Sequence, residues 1–189
     1  MTEYVLSIDP GLSTGVALLS YEDDNPAQLV EGWQFTGGVV GLTEWLMESL
    51  VDETVILPMG RVITGVRILS EKFTARATKG FSYTTASLEP LRGEGALIAL
   101  GLMPDYSVAE KRWRDPAFQY FAGGTSKAEK KRRQHAFLKA NGFYRTGKNF
   151  GTADADDFRS AASQGIVYIA RELKHRPTFE WMSKGVEEL

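Results

Sequence analysis

The chain has no cysteine and only two histidines in 189 residues. The missing thiols exclude disulfide frameworks and thiolate metal sites. No apolar run approaches the length of a membrane span, and no charged segment followed by an apolar one precedes the first predicted strand. An intracellular globular protein is therefore expected. No Pro/Ser-rich linker divides the sequence, which predicts one domain over residues 1–175 and a polar tail over 176–189. Composition is ordinary, with 43% hydrophobic and 24% charged residues. The formal net charge of -2 speaks weakly against a nucleic-acid partner until it is mapped along the chain. Between Lys111 and Lys148, eleven basic residues stand against Asp115 and Glu129, a local balance of +9 on an otherwise acidic body. Such a strip favours a polyanion at one face.

The most informative stretch is Ser7-Ile8-Asp9-Pro10-Gly11-Leu12-Ser13-Thr14-Gly15. Tyr4 to Ile8 reads as a buried strand, stopped by Pro10 and Gly11, and Val16 to Leu19 resumes as the next strand of a hairpin. Gly11 and Gly15 then supply either positive φ or close backbone approach. Asp9 sits at a rigid strand end. The same residues also suit an Asx-type turn, in which Asp9 merely bonds the loop backbone.

Gln28 to Phe35 alternates as a third strand, and Val39 to Leu50 reads as a helix with Val40, Leu42, Trp45, Leu46 and Leu50 mostly on one face. Residues 51–64 are ambiguous between a short strand at Val55-Ile56-Leu57 and an irregular connection. Val66 to Phe73 is predicted as a strand that delivers Glu71 near its end. A polar loop, Ala75 to Tyr83, follows with Arg76, Lys79, Phe81 and Tyr83. Ser87 opens a helix reaching Leu102, with Pro90 in its first turn and a packing stripe of Leu91, Gly95, Ile98 and Leu102. A short strand at Tyr106 to Ala109 and a short helix from Pro116 to Phe121 come next. The capping-box spacing Ser126 to Glu129 starts a basic helix over Lys127–Ala140, closed by Asn141-Gly142. It carries Lys127, Lys130, Lys131, Arg132 and Arg133. A charged solvated face is the commoner reading of such a run, but five cations in seven positions repel one another without an anion nearby. A last long helix is expected from Ala153 to Leu173, with Thr152 as N-cap. Asp154 and Asp157 share one face of its first turn, and Ala161, Ala162 and Gly165 let it lie close on the sheet. Acids at a helix start also complement the macrodipole without further purpose.

Asp9, Glu71, Asp154 and Asp157 thus stand where the chain can bring them together. Clustered carboxylates are unfavourable unless cations neutralise them, and such hard oxygen ligands suit Mg²⁺ or Mn²⁺. Two such ions serve phosphodiester hydrolysis by activating water and by stabilising the leaving oxygen.

Here the sequence resembles the RuvC family of Holliday junction resolvases, within the RNase H-like superfamily. Ser7-Ile8-Asp9-Pro10-Gly11 with Thr14-Gly15 is similar to its opening I-D-P-G-x-x-x-T-G element, Glu71 to its strand-borne second acid, and Asp154-Ala155-Asp156-Asp157 to its closing D-A-x-D pair. The resemblance spans residues 4 to 170 in motif order. It implies an α/β fold with a mixed sheet, its first three strands antiparallel and the rest parallel, flanked by helices. It also implies that Asp9, Glu71, Asp154 and Asp157 are metal-binding catalytic acids for two Mg²⁺ or Mn²⁺ ions. The implied reaction is direct hydrolysis that leaves 5′-phosphate and 3′-hydroxyl ends. A homodimer would then cut a four-way DNA junction symmetrically, through an interface on the Ser87–Leu102 helix, whose stripe equally suits monomer core. The implied location is the cytoplasm of a bacterium or of a phage-infected host, with no membrane partner.

Departures from the family pattern are specific. The family places a stacking aromatic in the loop after the second acid, where this chain offers Phe73, Phe81 and Tyr83. A lysine usual after the Trp113-Arg114 segment is replaced by Gln119 and Tyr120, so that one phosphate contact is either lost or supplied by Arg114; Lys127 and Lys130 both fit the next basic position. These differences and the long Glu53–Gly65 connection suit a divergent, phage-type member and leave a helicase partner open. The glycines of the first turn read as clearance for a DNA backbone. Two other readings stand beside this one. The D-x-G-x-x-x-G turn also occurs in actin-like ATPases and sugar kinases, whose second lobe has no counterpart here. A non-catalytic or RNA-directed relative would keep the fold. His135, inside the basic helix, reads as a surface residue.

Overall fold

The computed structural model describes residues 1–51, 53–72, 85–102, 106–109, 126–143, 145 and 156–187. The central sheet has the order β3 (Asn25–Phe35), β2 (Thr14–Glu22), β1 (Glu3–Asp9), β7 (Val66–Lys72), β8 (Tyr106–Ala109). β1, β2 and β3 form an antiparallel meander, as their alternating patterns predict. β7 runs parallel to β1, and β8 runs parallel to β7. Each of these parallel neighbours requires a crossover connection, and helices supply the covering layers.

Residues alternate across the sheet, so each strand feeds two cores. Leu6, Ile8, Val16, Leu18, Val66 and Ile68 face α1 (Val39–Ser49) and α2 (Thr85–Ala99). Val5, Ala17, Leu19 and Leu69 face the opposite layer, built from α3 (Lys127–Ala140) and α4 (Asp156–Arg171). Asp9 and Glu71 have the parity of this second face.

The ambiguous residues after α1 form a small antiparallel sheet of β4 (Leu50–Val51), β5 (Thr54–Ile56) and β6 (Val62–Ile63), with a 3₁₀ turn at Pro58–Gly60. Leu50, Val55 and Ile63 share one row and are buried. Strands this short leave no period to read in sequence, which explains the ambiguity.

One predicted face holds for the most part and one does not. In α1 Leu42 and Leu46 are buried, as is Leu50 just beyond it, and Trp45 packs on the same core against Trp33 and Phe35, at ring-centroid distances of 4.7 and 5.8 Å; of the predicted positions only Val40 is exposed. In α2 the expected stripe points outward: Leu91 is 49% and Ile98 51% exposed, and a Cβ on Gly95 would touch nothing. The buried line is Glu89, Gly93 and Leu97, ending at Leu102. Gly93 sets this rotation, because an added Cβ would lie 2.9 Å from Pro10 Cβ, so the helix meets the first turn along its glycine. The helix also begins earlier than expected, which puts Pro90 in its second turn.

The basic helix α3 forms as its cap predicts. Ser126 Oγ accepts from the Glu129 N–H at 3.2 Å, and Gly142, at φ 80°, follows the C-cap Asn141. The C-terminal residues, a polar tail in sequence that Trp181 could either dock or leave mobile, form a docked helix, α5 (Arg176–Glu187). Met182 is buried, and Trp181 packs on Phe137 and Phe143 and donates to Asn141 Oδ1 at 3.1 Å. Thr178 Oγ1 accepts from the Ala27 N–H at 2.9 Å, which covers that part of the β3 edge.

At the far end of the sheet Tyr21 is buried and donates to Glu3 Oε2 at 2.6 Å. Burial first, and then this carboxylate, push its phenol above the ordinary range. The protonated phenol belongs to the folded state, so its stabilisation is complete below about pH 10 and is lost as pH rises beyond that. Thermal unfolding is expected to show an alkaline loss of stability that Tyr21→Phe removes.

Candidate active site at the strand ends

The geometry starts from one transverse row. Gln34 on β3 pairs with Gly15 on β2, and Gly15 pairs with Asp9 on β1. Ile8 pairs with Ser70, and continuing that parallel register by one residue sets Glu71 beside Asp9. All four side-chain positions face the α4 layer. Asp9 is 6% and Glu71 8% exposed, so two carboxylates of adjacent strands lie in a desolvated rim. With strands roughly 4.8 Å apart, two like charges at that separation repel by about 3 kcal/mol under an effective dielectric near 20. Buried carboxylates persist where hydrogen bonds or cations compensate them.

The first turn of α4 supplies the roof. A Cβ on Gly15 would lie 2.0 Å from both the carbonyl carbon and the oxygen of Asp157, so only glycine admits this contact. The space expected for a DNA backbone at Gly15 is thus filled by the chain's own helix. Neither Gly11 nor Gly15 has positive φ; close approach is their role. Gln34 Oε1 accepts from the Phe158 N–H at 3.3 Å and so satisfies a donor in this helical turn. Two turns on, Gln164 Nε2 donates to Asp9 Oδ1 at 3.3 Å. Ala161 and Ala162 are fully buried, and a Cβ on Gly165 would lie 2.5 Å from Leu19 Cδ1 and 3.1 Å from Ser7 Cβ. The small residues do what their pattern predicts: they bring α4 onto β1 and β2.

The structure therefore brings together Asp9, Glu71 and the turn that carries Asp157, which is partly buried. Asp154 lies outside the described residues, as do Phe73, Arg76, Lys79, Phe81, Tyr83, Arg114 and the expected Pro116–Phe121 helix. Among the described residues, no group of three or more His, Asp or Glu side chains closes into a metal cage. The donor chemistry still fits a hard divalent cation, since the rim offers carboxylate oxygens from neighbouring strands. Asp9 and Glu71 would hold it.

The basic helix lies in the same layer. Phe137 and Leu138 of α3 share a core with Phe158 and Ala161 of α4, and Gln134 Nε2 donates to Ser163 Oγ at 2.5 Å. Lys131 and Arg132 are exposed, and Arg133 pairs with Glu129 at 3.3 Å. Lys127 and Lys130 lie on the first turns of the same helix. His135 Nε2 lies 3.2 Å from Arg159 Nη1, so it joins α3 to α4 rather than standing free on the surface.

Three residues of this frame carry no sequence signal. Gln34 and Gln164 are isolated neutral amides, belonging to no motif. Glu89, 4% exposed and paired with Arg92 at 2.8 Å, lies behind the first turn, where its Oε2 comes within 3.4 Å of a Cβ built on Gly38. Its place inside the α2 face is invisible to a pattern of apolar residues.

A five-stranded sheet in this order, with its first three strands antiparallel and the following ones parallel, and with acids at the ends of β1 and β7, is the RNase H-like α/β fold. Two solved structures of Thermus thermophilus RuvC are similar to the chain. One is 15% identical with a TM-score of 0.48, and the other, described as in complex with Holliday junction substrate, is 13% identical with a TM-score of 0.45. Each covers 91% of this chain and 96% of its own. No protein-family model and no curated protein matches the sequence. Among the described residues no helix is long and apolar enough to cross a membrane.

Proposed function

We propose that this protein is a divalent-metal-dependent endonuclease for branched DNA, with the four-way junction as its principal substrate. The observation that carries the reading is the buried pair Asp9 and Glu71, side by side at the strand ends beneath the Asp157 turn. The motif order shared with the RuvC family supports the same assignment and adds Asp154. Bound Mg²⁺ or Mn²⁺ would supply water activation and charge stabilisation for hydrolysis of a phosphodiester. Asp9 and Glu71 contribute fixed, buried carboxylate oxygens, and the first turn of α4, which carries Asp157, lies over Gly15 in the same row.

The exposed face of α3 contributes phosphate contacts from the layer that carries α4. Lys131→Glu with Arg132→Glu is expected to weaken junction binding and to lower the slope of log affinity against log salt by about 1 for each phosphate that is no longer neutralised. A fluorescence-anisotropy salt titration checks this. Two copies of the chain would present two sites to a two-fold substrate. The outward Leu91 and Ile98 stripe on α2 supports pairing through that helix.

The test incubates purified protein with four-way junction, flap and linear duplex DNA, with Mg²⁺, Mn²⁺ or chelator. Metal-dependent cutting of the junction in preference to the duplex is the expected result. Equal cutting of linear duplex removes the structure selectivity, and cutting that persists in chelator removes the metal.

A further inference from the structure

Gln164 lies seven residues along α4 from Asp157, on the side that faces the sheet. It is 6% exposed, and its Nε2 donates to Asp9 Oδ1 at 3.3 Å. We propose that Gln164 is a positioning residue for Asp9, fixing how the carboxylate is turned towards a divalent cation at the strand ends. The assignment rests on the nuclease reading.

Each neighbour of Gln164 already has another task. Ala161, Ala162 and Gly165 set the distance of α4 from β1 and β2. Ser163 accepts from Gln134 and thereby joins α4 to α3. Gln34 fixes the first turn through the Phe158 N–H. Docking of the helix is thus provided for without Gln164, and its amide is spent on a single oxygen of Asp9.

The type of donor matters. A lysine or arginine at this position would orient the carboxylate but place a positive charge beside a cation site. An amide donates to Oδ1 and adds no charge of its own to the site. Hydrogen-bonding partners of metal-binding side chains act in this way, and their loss commonly weakens metal affinity by about tenfold or more.

The test needs no nuclease activity. Mn²⁺ binding to the full chain without DNA is followed by the electron-paramagnetic resonance of the free ion, alongside thermal unfolding with and without Mn²⁺. Gln164→Met keeps length and removes the donor, and it is expected to weaken Mn²⁺ binding about tenfold. Gln164→Glu puts a further carboxylate beside Asp9. It should lower the melting temperature of the metal-free protein, bind Mn²⁺ at least as tightly as wild type, and regain the lost stability when Mn²⁺ is added. Loss of affinity in Gln164→Met with the fold retained is the mark of a positioning role, since the carboxylate of Gln164→Glu attracts the cation whether or not Gln164 orients Asp9. Wild-type affinity in Gln164→Met would leave Gln164 a packing residue and overturn the proposal. Should Gln164→Met fail to fold, the same titration on Gln164→Asn, whose amide is one methylene shorter, decides on the same terms. Wild-type protein that binds no Mn²⁺, or binds it equally well as Asp9→Asn, overturns the nuclease reading and this assignment together.

Discussion

Gly15→Ala is expected to be the most disruptive single methyl group that can be added to this protein. The new Cβ would fall 2.0 Å from the Asp157 carbonyl carbon and oxygen, which are backbone atoms and cannot rotate away. Ordinary contact needs more than an ångström of retreat, so α4 must lift off β2. Lifting it strains the Gln34 and Gln164 hydrogen bonds at the same time. Overpacking of this kind costs about 3 kcal/mol or more. Chemical denaturation should show that loss, and cleavage should fall with it because the α4 turn beside the Asp9–Glu71 row is displaced. Gly95→Ala is the control. Nothing lies within 4 Å of its added Cβ, and in a helix interior alanine should stabilise by about 0.5–1 kcal/mol. If both variants behave alike, the close approach of α4 is not what Gly15 provides.

Asp9→Asn separates activity from stability. The substitution keeps shape but removes one of two buried anions, so it should reduce junction cleavage about 1000-fold, a loss of about 4 kcal/mol of transition-state stabilisation. The metal-free protein should nevertheless melt at a higher temperature, because repulsion with Glu71 disappears. Junction binding through α3 should persist. Glu71→Gln should behave similarly. Undiminished cleavage by either variant, with metal present, contradicts the assignment of these acids.

Much of this frame could be read from residues alone, for identifiable reasons. Alternation in β1 to β3 and the Ser126–Glu129 cap are local signals, and the structure follows them. The small residues of α4 predicted its close approach correctly, since volume alone decides that contact. Rotation of α2 was not local. Leu91 and Ile98 are as apolar as Leu97, and the burial of Leu97 follows from the meeting of Gly93 with Pro10 across the fold. The docking of α5 depends on Trp181 finding Phe137 and Phe143 on other segments. In the candidate site, the acids Asp9 and Glu71 stood out because strand ends followed by turns are visible in sequence. Gln34 and Gln164 did not, since one buried amide has neither period nor charge to mark it. The role of Gly15 is half legible: the sequence marks a need for space, and the occupant is α4, not a DNA backbone.

If the strand-end rim holds the catalytic cation, anomalous scattering from crystals grown with Mn²⁺ should locate it there, as a peak roughly 2.1 Å from carboxylate oxygens of both Asp9 and Glu71. A protein that cleaves junctions with Mn²⁺ yet shows its ion bound elsewhere, and none between these two residues, would contradict that placement.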